Sequence, residues 1–359
     1  MEERHKKKQR LRNNEYYDAQ QISDKLYSLS NKGYKFKNLM QLITDEKNII
    51  LAYRNIKKNK GSNTKGTNKS TIKDIGNENP KEMIEYIQGR FKNYKPHPVK
   101  RVEIPKDNGK TRPLGIPTIE DRIIQQCIKQ ILDPICEAKF HKHSYGFRPN
   151  RGTHHAIARV YSLMNRGFHY AVDIDIKGFF DNVNHSKLVK QMWKFGIQDK
   201  NLLCIVSKLL KAEIQGIGIP YKGTPQGGII SPLLSNIVLN ELDWWVSSQW
   251  ETFITKHDYS SVRKDTGKVN DTRKYRALKN TNLKEMFIVR YADDFKILCK
   301  DYKTAQKIFI ATKSWIEERL NLDVSPEKSR VVNLRKNYSE FLGFKIKVRD
   351  KNNKQVVKS

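Results

Sequence analysis

Residues 286–299 read MFIVRYADDFKILC and place the adjacent aspartates Asp293 and Asp294 between two apolar segments. Short apolar runs interrupted by a polar pair are typical of two buried strands joined by a tight turn. Adjacent carboxylates are electrostatically unfavourable there unless a cation, most simply a divalent metal with oxygen ligands, lies nearby. The stretch therefore predicts strands at Met286–Arg290 and Phe295–Cys299, with a tip that is either a metal site or an ordinary Asp-containing turn.

A second pair of carboxylates ends another predicted strand. Residues 170–176 read YAVDIDI, and the alternation of side chains along a strand puts Asp173 and Asp175 on the same face. Asp175, at the end of the strand, is the better placed of the two to meet solvent and substrate. Together with Asp293 and Asp294 it would form a three-carboxylate cluster on neighbouring strands, suited to holding two Mg²⁺ ions for phosphoryl transfer.

The rest of the chain mixes helical and strand periodicity. Capping residues and apolar spacings of three and four indicate the helices, and short apolar runs beside turn residues indicate the strands. The predicted elements are helices at Glu46–Ile56, Pro80–Phe91 and Lys303–Leu320, one from the Thr118 cap to Asp133-Pro134, one opened by Ser231-Pro232, a hairpin of Val99–Ile104 with Arg112–Ile116, and strands near Ser329–Leu334 and Tyr338–Val348. Strands with helices on one face predict an α+β fold.

The charge of the chain indicates its class of partner. Lys and Arg number 69 and Asp and Glu 38 among 359 residues, a formal net charge of +31. This excess favours a polyanion, with nucleic acid first and an anionic membrane surface second. A hydrophobic content of 37% excludes disorder of the whole chain. The longest uncharged stretch, Gly223 to Asn240, is predicted to be a loop entering a buried helix and not a membrane span, which would need about 20 mostly apolar residues. We expect no membrane partner.

The four cysteines, Cys127, Cys136, Cys204 and Cys299, are far apart and form no CxxC pair. This spacing excludes a secreted disulfide scaffold and a Cys-rich zinc site. We expect buried, reduced thiols and a cytoplasmic protein.

Residues 57–73, KKNKGSNTKGTNKSTIK, are basic and nearly free of apolar side chains, which predicts a flexible loop. The loop is either a solvated linker or a segment that closes over a nucleic-acid backbone. His141, His143, His154 and His155 show no zinc spacing, and we expect their basic segment to face RNA. The residues expected to bind RNA are Lys57, Lys58, Lys60, Lys65, Lys69, Arg148 and Arg151.

Several motifs resemble those of reverse transcriptases, in the order found in that family. Tyr291-Ala-Asp-Asp294 resembles the catalytic box, and Asp175-Ile-Lys-Gly-Phe-Phe180 resembles the first aspartate motif. Finer matches resemble the bacterial group II intron-encoded reverse transcriptases and maturases. The matching segments are Ala52–Gly61, Ile104-Pro-Lys106, Arg112–Pro117 with Asp121-Arg122, Ser144–Pro149, Thr224–Gly228 with Ser231–Ser235, and Phe341-Leu-Gly-Phe344.

The resemblance implies a right-hand polymerase with fingers, an antiparallel palm sheet and a helical N-terminal extension. The implied division is an extension with its basic loop at 1–75, fingers at 76–168 and 184–226, and palm at 169–183 and 227–359, with a polar insertion at about 250–285. Members of the family continue past the palm into a helical thumb. This chain ends at Ser359, soon after the Phe341–Phe344 motif, so we expect the thumb to be absent.

The resemblance also assigns roles to individual residues. Asp175, Asp293 and Asp294 would bind two catalytic Mg²⁺ ions, with the Ile176 carbonyl as a further ligand. Lys106 and Arg112 would clamp the triphosphate, because charge-assisted donors suit phosphate oxygens. Phe180 would lie under the sugar and exclude a 2′-hydroxyl, and Gln226 would lie near the incoming nucleotide. Lys328 resembles a lysine that protonates the leaving pyrophosphate.

These roles imply an RNA-directed DNA polymerase of the group II intron type, active in splicing and retrohoming. Its partners would be intron RNA, a DNA primer or target and deoxynucleoside triphosphates, with a homodimer left open. Two alternatives stay open as well. One is a splicing cofactor that binds RNA without polymerase chemistry, and the other is an RNA-templated RNA polymerase, against which Phe180 argues.

Overall fold

The computed structural model describes residues 9–76, 79–105, 109, 111–225, 227–267, 269–351 and 354–358. Its α-helices are α1 (Gln9–Tyr16), α2 (Ala19–Asn31), α3 (Met40–Ile43), α4 (Glu46–Lys57), α5 (Ile72–Gly76), α6 (Pro80–Lys92), α7 (Ile119–Glu137), α8 (Thr153–Met164), α9 (Phe179–Asn182), α10 (His185–Lys194), α11 (Lys200–Leu210), α12 (Ser231–Ser248), α13 (Thr272–Lys279) and α14 (Tyr302–Trp315). A 3₁₀ turn covers Lys60–Asn63, and a π turn at Ile316–Leu320 extends α14.

The strands form antiparallel ladders. They are β1 (Lys100–Pro105), β2 (Thr111–Ile116), β3 (Tyr170–Ile174), β4 (Ser261–Val262), β5 (Val269–Asn270), β6 (Met286–Tyr291), β7 (Asp294–Cys299), β8 (Arg330–Asn333), β9 (Ser339–Phe341), β10 (Phe344–Lys351) and β11 (Lys354–Lys358). The main sheet has the order β6-β7-β3-β8, and the β1–β2 and β4–β5 hairpins and the β11-β10-β9 ribbon are separate.

The chain divides into two units, with residues 1–140 and 178–238 in the first and 141–177 and 239–359 in the second. The main sheet lies in the second unit and the β1–β2 hairpin in the first. Residues 141–168, predicted as fingers, group with most of the predicted palm, whereas 178–183 and 227–238, predicted as palm, group with the first unit.

The first unit is built around α7. The hydroxyl of Thr118 caps this helix at the Asp121 N–H, as its sequence predicts. Helices α2 and α4 pack against α7, whose Ile123, Ile124 and Ile128 are fully buried. Burial of each such side chain contributes about 1.5–3 kcal/mol, so this apolar stripe holds the helices together.

In the second unit β3 lies between β7 and β8, with Ile174 opposite Phe295 and Asp173 opposite Arg330. Helix α14 packs on β3, β7 and β8, and α8 packs on β6. Apolar side chains from the sheet, α8 and the β9–β10 hairpin form one core, which includes Phe168, Ala171, Leu298, Val332, Phe341 and Ile346. The acidic residues Asp175 and Asp294 lie where β3 ends and β7 begins.

Two predicted boundaries are wrong. Helix α7 continues past Asp133-Pro134 to Glu137, because Ile135 and Cys136 are fully buried and Ser30 Oγ donates to the Ile135 carbonyl at 2.7 Å. Proline removes one helical N–H donor, and this packing compensates for the loss.

The single strand predicted at Tyr338–Val348 is instead the β9–β10 hairpin. Leu342 and Gly343 adopt positive φ angles of 55° and 83° and reverse the chain, so that Phe341 pairs with Phe344.

Among the cysteines, Cys127, Cys136 and Cys299 are buried as predicted, whereas Cys204 is exposed and contradicts that prediction. Across the described residues, no helix combines the length and apolar character that a membrane crossing requires.

Candidate active site

The acidic turn predicted from the sequence joins β6 to β7. Tyr291 pairs with Asp294 across the hairpin, which leaves Ala292 and Asp293 at its tip. Ala292 has a φ of 56°, a left-handed conformation that is uncommon for a residue with a side chain. The hairpin thus presents Asp293 from a strained, two-residue turn.

A buried ion pair between Arg290 and Asp243 supports this turn. The Arg290 guanidinium is fully buried and donates to both carboxylate oxygens of Asp243 on α12, each at 2.7 Å. Its remaining Nη1 donates to the Ala292 carbonyl at 2.7 Å. Because a bidentate pair fixes the plane of the guanidinium, Arg290 holds the Ala292 peptide in one orientation.

Asp175 lies one residue beyond the end of β3, where a second segment secures its backbone. Its N–H donates to Ser329 Oγ at 3.1 Å, and its carbonyl accepts from the Ser325 N–H at 2.9 Å. Lys328 in the same segment places Nζ 3.6 Å from Asp175 Oδ2. The turn before β8 therefore fixes the position of Asp175.

The three aspartates line one cleft of about 420 Å³ in the second unit. Continuing the β3–β7 register by one step puts Asp175 opposite Asp294, which explains their convergence. The cleft is lined by Asp173, Ile174, Asp175, Ile176, Asp293, Asp294, Phe295, Lys296, Glu327, Lys328, Arg330 and Glu340.

Within the described residues, no group of three or more acidic, His or Cys side chains is arranged so that it could hold a metal ion. The donor set nevertheless fits Mg²⁺, which binds through one or two carboxylates and takes its other ligands from water and substrate phosphates. An open carboxylate cleft is the form of site expected for that ion.

Asp294 opens onto this cleft and has an altered acidity. Desolvation by the surrounding protein raises the pKa of its carboxyl to about 6, and the nearby Lys296 ammonium and the Leu342 N–H oppose the rise. The Leu342 N–H donates to Asp294 Oδ2 at 3.2 Å. The β9–β10 turn, which carries the Phe341–Phe344 motif, thus contacts the acidic site directly.

Asp173 is used differently from Asp175. The nearly fully buried Lys296 donates to Asp173 Oδ1 at 2.7 Å and to Ser339 Oγ at 2.6 Å, and Ser339 Oγ donates to Asp173 Oδ2 at 2.6 Å. Lys296, Ser339 and Leu342 are site residues that sequence reasoning missed. Only Lys296 had a signal in the sequence, because this lysine directly follows Phe295 in the acidic hairpin.

Among the predicted nucleotide contacts, Arg112 and Phe180 lie in the first unit and Lys328 in the second. Lys106 and Gln226 fall outside the described residues. Arg112 lies on β2 with its backbone opposite Ile104, as the predicted hairpin requires. Phe180 is half-buried on α9, packs edge-on against Phe179 with ring centroids 5.4 Å apart, and its carbonyl accepts from the Thr224 N–H at 2.6 Å.

The basic loop at residues 57–73 is more structured than its composition predicts. Arg122 at the start of α7 donates to the carbonyls of Gly61 at 2.8 Å and Thr64 at 2.6 Å. The side chains of the predicted RNA-binding lysines remain exposed, namely Lys57, Lys58, Lys60, Lys65 and Lys69. Arg122 therefore binds the backbone of the loop to the start of α7, whereas the lysine side chains of the loop are exposed.

The structure corrects the expectation that Arg148 contacts RNA. Its guanidinium is buried and donates to the carbonyls of His141 and Ser144, both at 2.7 Å. Arg151 donates to the Lys142 carbonyl at 2.7 Å while remaining partly exposed.

Of the four histidines predicted to lie in an RNA-facing segment, His154 and His155 are exposed, whereas His141 and His143 are not. His141 is buried, and His143 Nε2 lies 3.1 Å from the buried carboxylate of Glu251. Desolvation opposes the ionised form of Glu251, but hydrogen bonds and charge from His143 and Lys142 lower its pKa to about 2. The contacts of His141 and His143 thus belong to the interior of the second unit.

The similarity of this chain to known proteins agrees with these features. The family profile described as "Reverse transcriptase (RNA-dependent DNA polymerase)" covers residues 104–346. Protein YkfC of Escherichia coli (strain K12) is 32% identical over 338 residues, which cover 89% of this chain and 85% of that protein. Group II intron-encoded protein LtrA of Lactococcus lactis subsp. cremoris is 34% identical over 333 residues, which cover 83% of this chain and 55% of that protein. The profile match runs from β1 to β10 and includes the whole acidic cleft.

Proposed function

The chain belongs to the reverse transcriptase family and is an RNA-directed DNA polymerase. From this premise, we propose that it extends a DNA primer on group II intron RNA. The observation that carries the proposal is the opening of Asp175, Asp293 and Asp294 into one cleft at the end of an antiparallel sheet. The similarity to an intron-encoded protein supports the choice of intron RNA as template.

The proposed chemistry is phosphoryl transfer assisted by two Mg²⁺ ions. The carboxylates of Asp175, Asp293 and Asp294 would hold these ions, with the carbonyl of Ile176 as a further ligand. When bound, the ions supply activation of the primer 3′-hydroxyl and stabilisation of the pyrophosphate leaving group. The fixed backbones of Asp175 and Ala292 would keep the carboxylates oriented, so little reorganisation is needed during the reaction.

Five other residues are proposed to act on the nucleotide. Lys106 and Arg112 would bind the triphosphate through charge-assisted hydrogen bonds, and Gln226 would contact the incoming nucleotide. Phe180 would exclude a 2′-hydroxyl by its bulk. Lys328 would donate a proton to the departing pyrophosphate, a role supported by its mostly exposed ammonium beside Asp175.

The RNA partner is proposed from charge and relatives together. A net charge of +31 favours binding through phosphates, and structured RNA also offers shape and 2′-hydroxyls. We place the exposed lysines of the 57–73 loop on that RNA. We propose roles in splicing and retrohoming as well, because the chain resembles group II intron-encoded proteins; it spans about half the length of the relative of that name.

A second candidate is an RNA-binding splicing cofactor without polymerase chemistry. The basic charge supports it as well as the enzyme. The acidic cleft favours the enzyme, because three carboxylates at an RNA-facing site would weaken binding by phosphate repulsion unless cations are bound there.

Primer extension tests the proposal and its rivals together. We expect a DNA primer on an RNA template to be extended with deoxynucleotides when Mg²⁺ is present and not when it is chelated. RNA binding without any incorporation would favour the splicing cofactor. Equal use of ribonucleotides would favour an RNA polymerase.

Replacement of Phe180 by Val separates the sugar filter from the chemistry. We expect ribonucleotide use to increase at least tenfold relative to the unsubstituted protein, while deoxynucleotide addition continues. Unchanged sugar selectivity would remove this role from Phe180 and leave it as a packing residue.

A further inference from the structure

Residues 143–146 run alongside β6 in the second unit. The Tyr145 N–H donates to the Arg290 carbonyl at 2.8 Å, and the Arg290 N–H donates to the His143 carbonyl at 3.0 Å. Ser144 and Arg290 form the corresponding parallel bridge. This segment therefore continues the sheet beyond β6 and ends beside the acidic turn.

Gly146 is the residue of this segment that meets the turn. A Cβ at this position would lie 3.0 Å from the Tyr291 carbonyl carbon and 3.1 Å from the Ala292 Cα, and closer still to the Ala292 nitrogen. Gly146 is not in the left-handed region, so backbone conformation alone would permit an alanine. The close approach of the Tyr291–Ala292 peptide is what requires glycine here.

The turn thus has contacts on both sides of its strained residue. The Arg290 Nη1 holds the Ala292 carbonyl, and the Gly146 backbone abuts the peptide that precedes Ala292. A left-handed alanine persists only where its surroundings impose the conformation. The surroundings that impose it here are Arg290 and Gly146.

We propose that Gly146 is a positioning residue for Asp293. It allows residues 143–146 to pack directly against the Tyr291–Asp294 turn, and this contact fixes the position of Asp293 in the cleft. This inference rests on the proposed polymerase function. A methyl group at position 146 would displace the turn on the order of 1 Å, and misplacement of that size can reduce catalysis about 100-fold.

The test compares Gly146→Ala with Gly152→Ala and the unsubstituted protein. Gly152 lies six residues further along, has a φ of −145°, and an added Cβ there would contact nothing within 4 Å. Gly152→Ala removes a preferred cap of α8, so it also controls for a modest loss of stability.

We expect Gly146→Ala to lower kcat about 100-fold while KM for the deoxynucleotide and primer–template affinity stay within about threefold. We also expect its Mn²⁺ affinity, measured by electron paramagnetic resonance without substrates, to fall at least tenfold, as when a residue that orients a metal ligand is replaced. Gly152→Ala should match the unsubstituted protein in both measurements.

A folded Gly146→Ala protein with kcat and Mn²⁺ affinity within threefold of the unsubstituted protein would overturn the inference. If Gly146→Ala does not fold, Asp243→Asn decides, because it loosens the same turn through Arg290. A folded Asp243→Asn protein with unchanged kcat and Mn²⁺ affinity would overturn the inference equally. Absence of activity in the unsubstituted protein would instead refute the proposed function, and the Mn²⁺ measurement would still test the role of Gly146.

Discussion

The Lys296 ammonium lies 2.7 Å from Asp173 Oδ1, and the two residues are direct partners in the β3–β7 ladder. This pair gives Asp173, within β3, a different role from Asp175, which lies one residue beyond the end of the strand. Asp173 neutralises a buried lysine, whereas Asp175, two residues further on, remains available to the cleft. An isolated buried ammonium is costly, so Lys296 depends on Asp173.

Replacement of Asp173 by Asn should therefore destabilise the protein. We expect the free energy of unfolding, measured by urea titration, to fall by about 3 kcal/mol, since one partner of a buried pair is removed. Glu103→Gln is the control, because the Arg101–Glu103 pair is exposed and should contribute less than about 1 kcal/mol. Equal losses in the two variants would show that Lys296 does not need its partner.

The raised pKa of Asp294, about 6, predicts a pH-dependent metal requirement. A metal ligand must be ionised, so protonation of Asp294 competes with Mg²⁺ as the pH falls through about 6. We expect the Mg²⁺ concentration that gives half-maximal activity to be several-fold higher at pH 5.5 than at pH 7.5. The same half-maximal concentration at both values would contradict this.

The same group affects stability in the absence of metal. The folded-state pKa of Asp294 lies above that of an unfolded aspartate, so the native state binds more protons between about pH 4 and pH 6. Stability without metal should fall as pH rises through this window. Asp294→Asn should abolish that part of the decrease in a metal-free thermal melt.

Lys328 should matter for rate and not for stability. Its ion pair with Asp175 is exposed, with 68% of the Lys328 side chain accessible, so Lys328→Ala should change the free energy of unfolding by less than about 1 kcal/mol. If Lys328 donates a proton, single-nucleotide addition should slow about 100-fold. Lys328→Arg keeps the charge but holds its proton too tightly, and should be nearly as slow. A fast Lys328→Arg would indicate a charge effect and exclude proton donation.

Arg122 should control access to the basic loop at residues 57–73. It is buried and donates to Gly61, Thr64 and also the Pro117 carbonyl at 2.8 Å. We expect Arg122→Ala to accelerate tryptic cleavage within the loop at least tenfold, because three carbonyls lose their donor. Arg101→Ala, at an exposed arginine of the same unit, should leave the cleavage rate unchanged. Equal cleavage rates in both variants would show that the loop is a free linker.

The acidic hairpin was predictable because its signals are local. Two apolar runs around Asp293-Asp294 specify a tight turn, and alternation on β3 specifies the face of Asp175. The β1–β2 hairpin was predictable for the same reason. The antiparallel pairing of β7 with β3 was expected only from the resemblance to reverse transcriptases, which implies an antiparallel palm sheet.

Other features depend on contacts distant in sequence. The helix continues through Pro134 because Ser30 and the core hold its last turn. The burial of Arg148 could not be predicted, because its partners are backbone carbonyls, which carry no sequence signature. The loop around Gly61 has the composition of a linker, yet Arg122 closes it from a position some 60 residues away. The backbone contact of Leu342 with Asp294 is of the same kind.

The most direct measurement of the central claim is the rate of a single deoxynucleotide addition to a DNA primer on an RNA template, compared between the unsubstituted protein and Asp293→Ala. Both proteins should bind the primer–template with similar affinity. We predict that Asp293→Ala loses at least 1,000-fold in rate, on the order of what a removed metal ligand costs in transition-state charge stabilisation. A folded Asp293→Ala protein that adds nucleotides at the unsubstituted rate would contradict it.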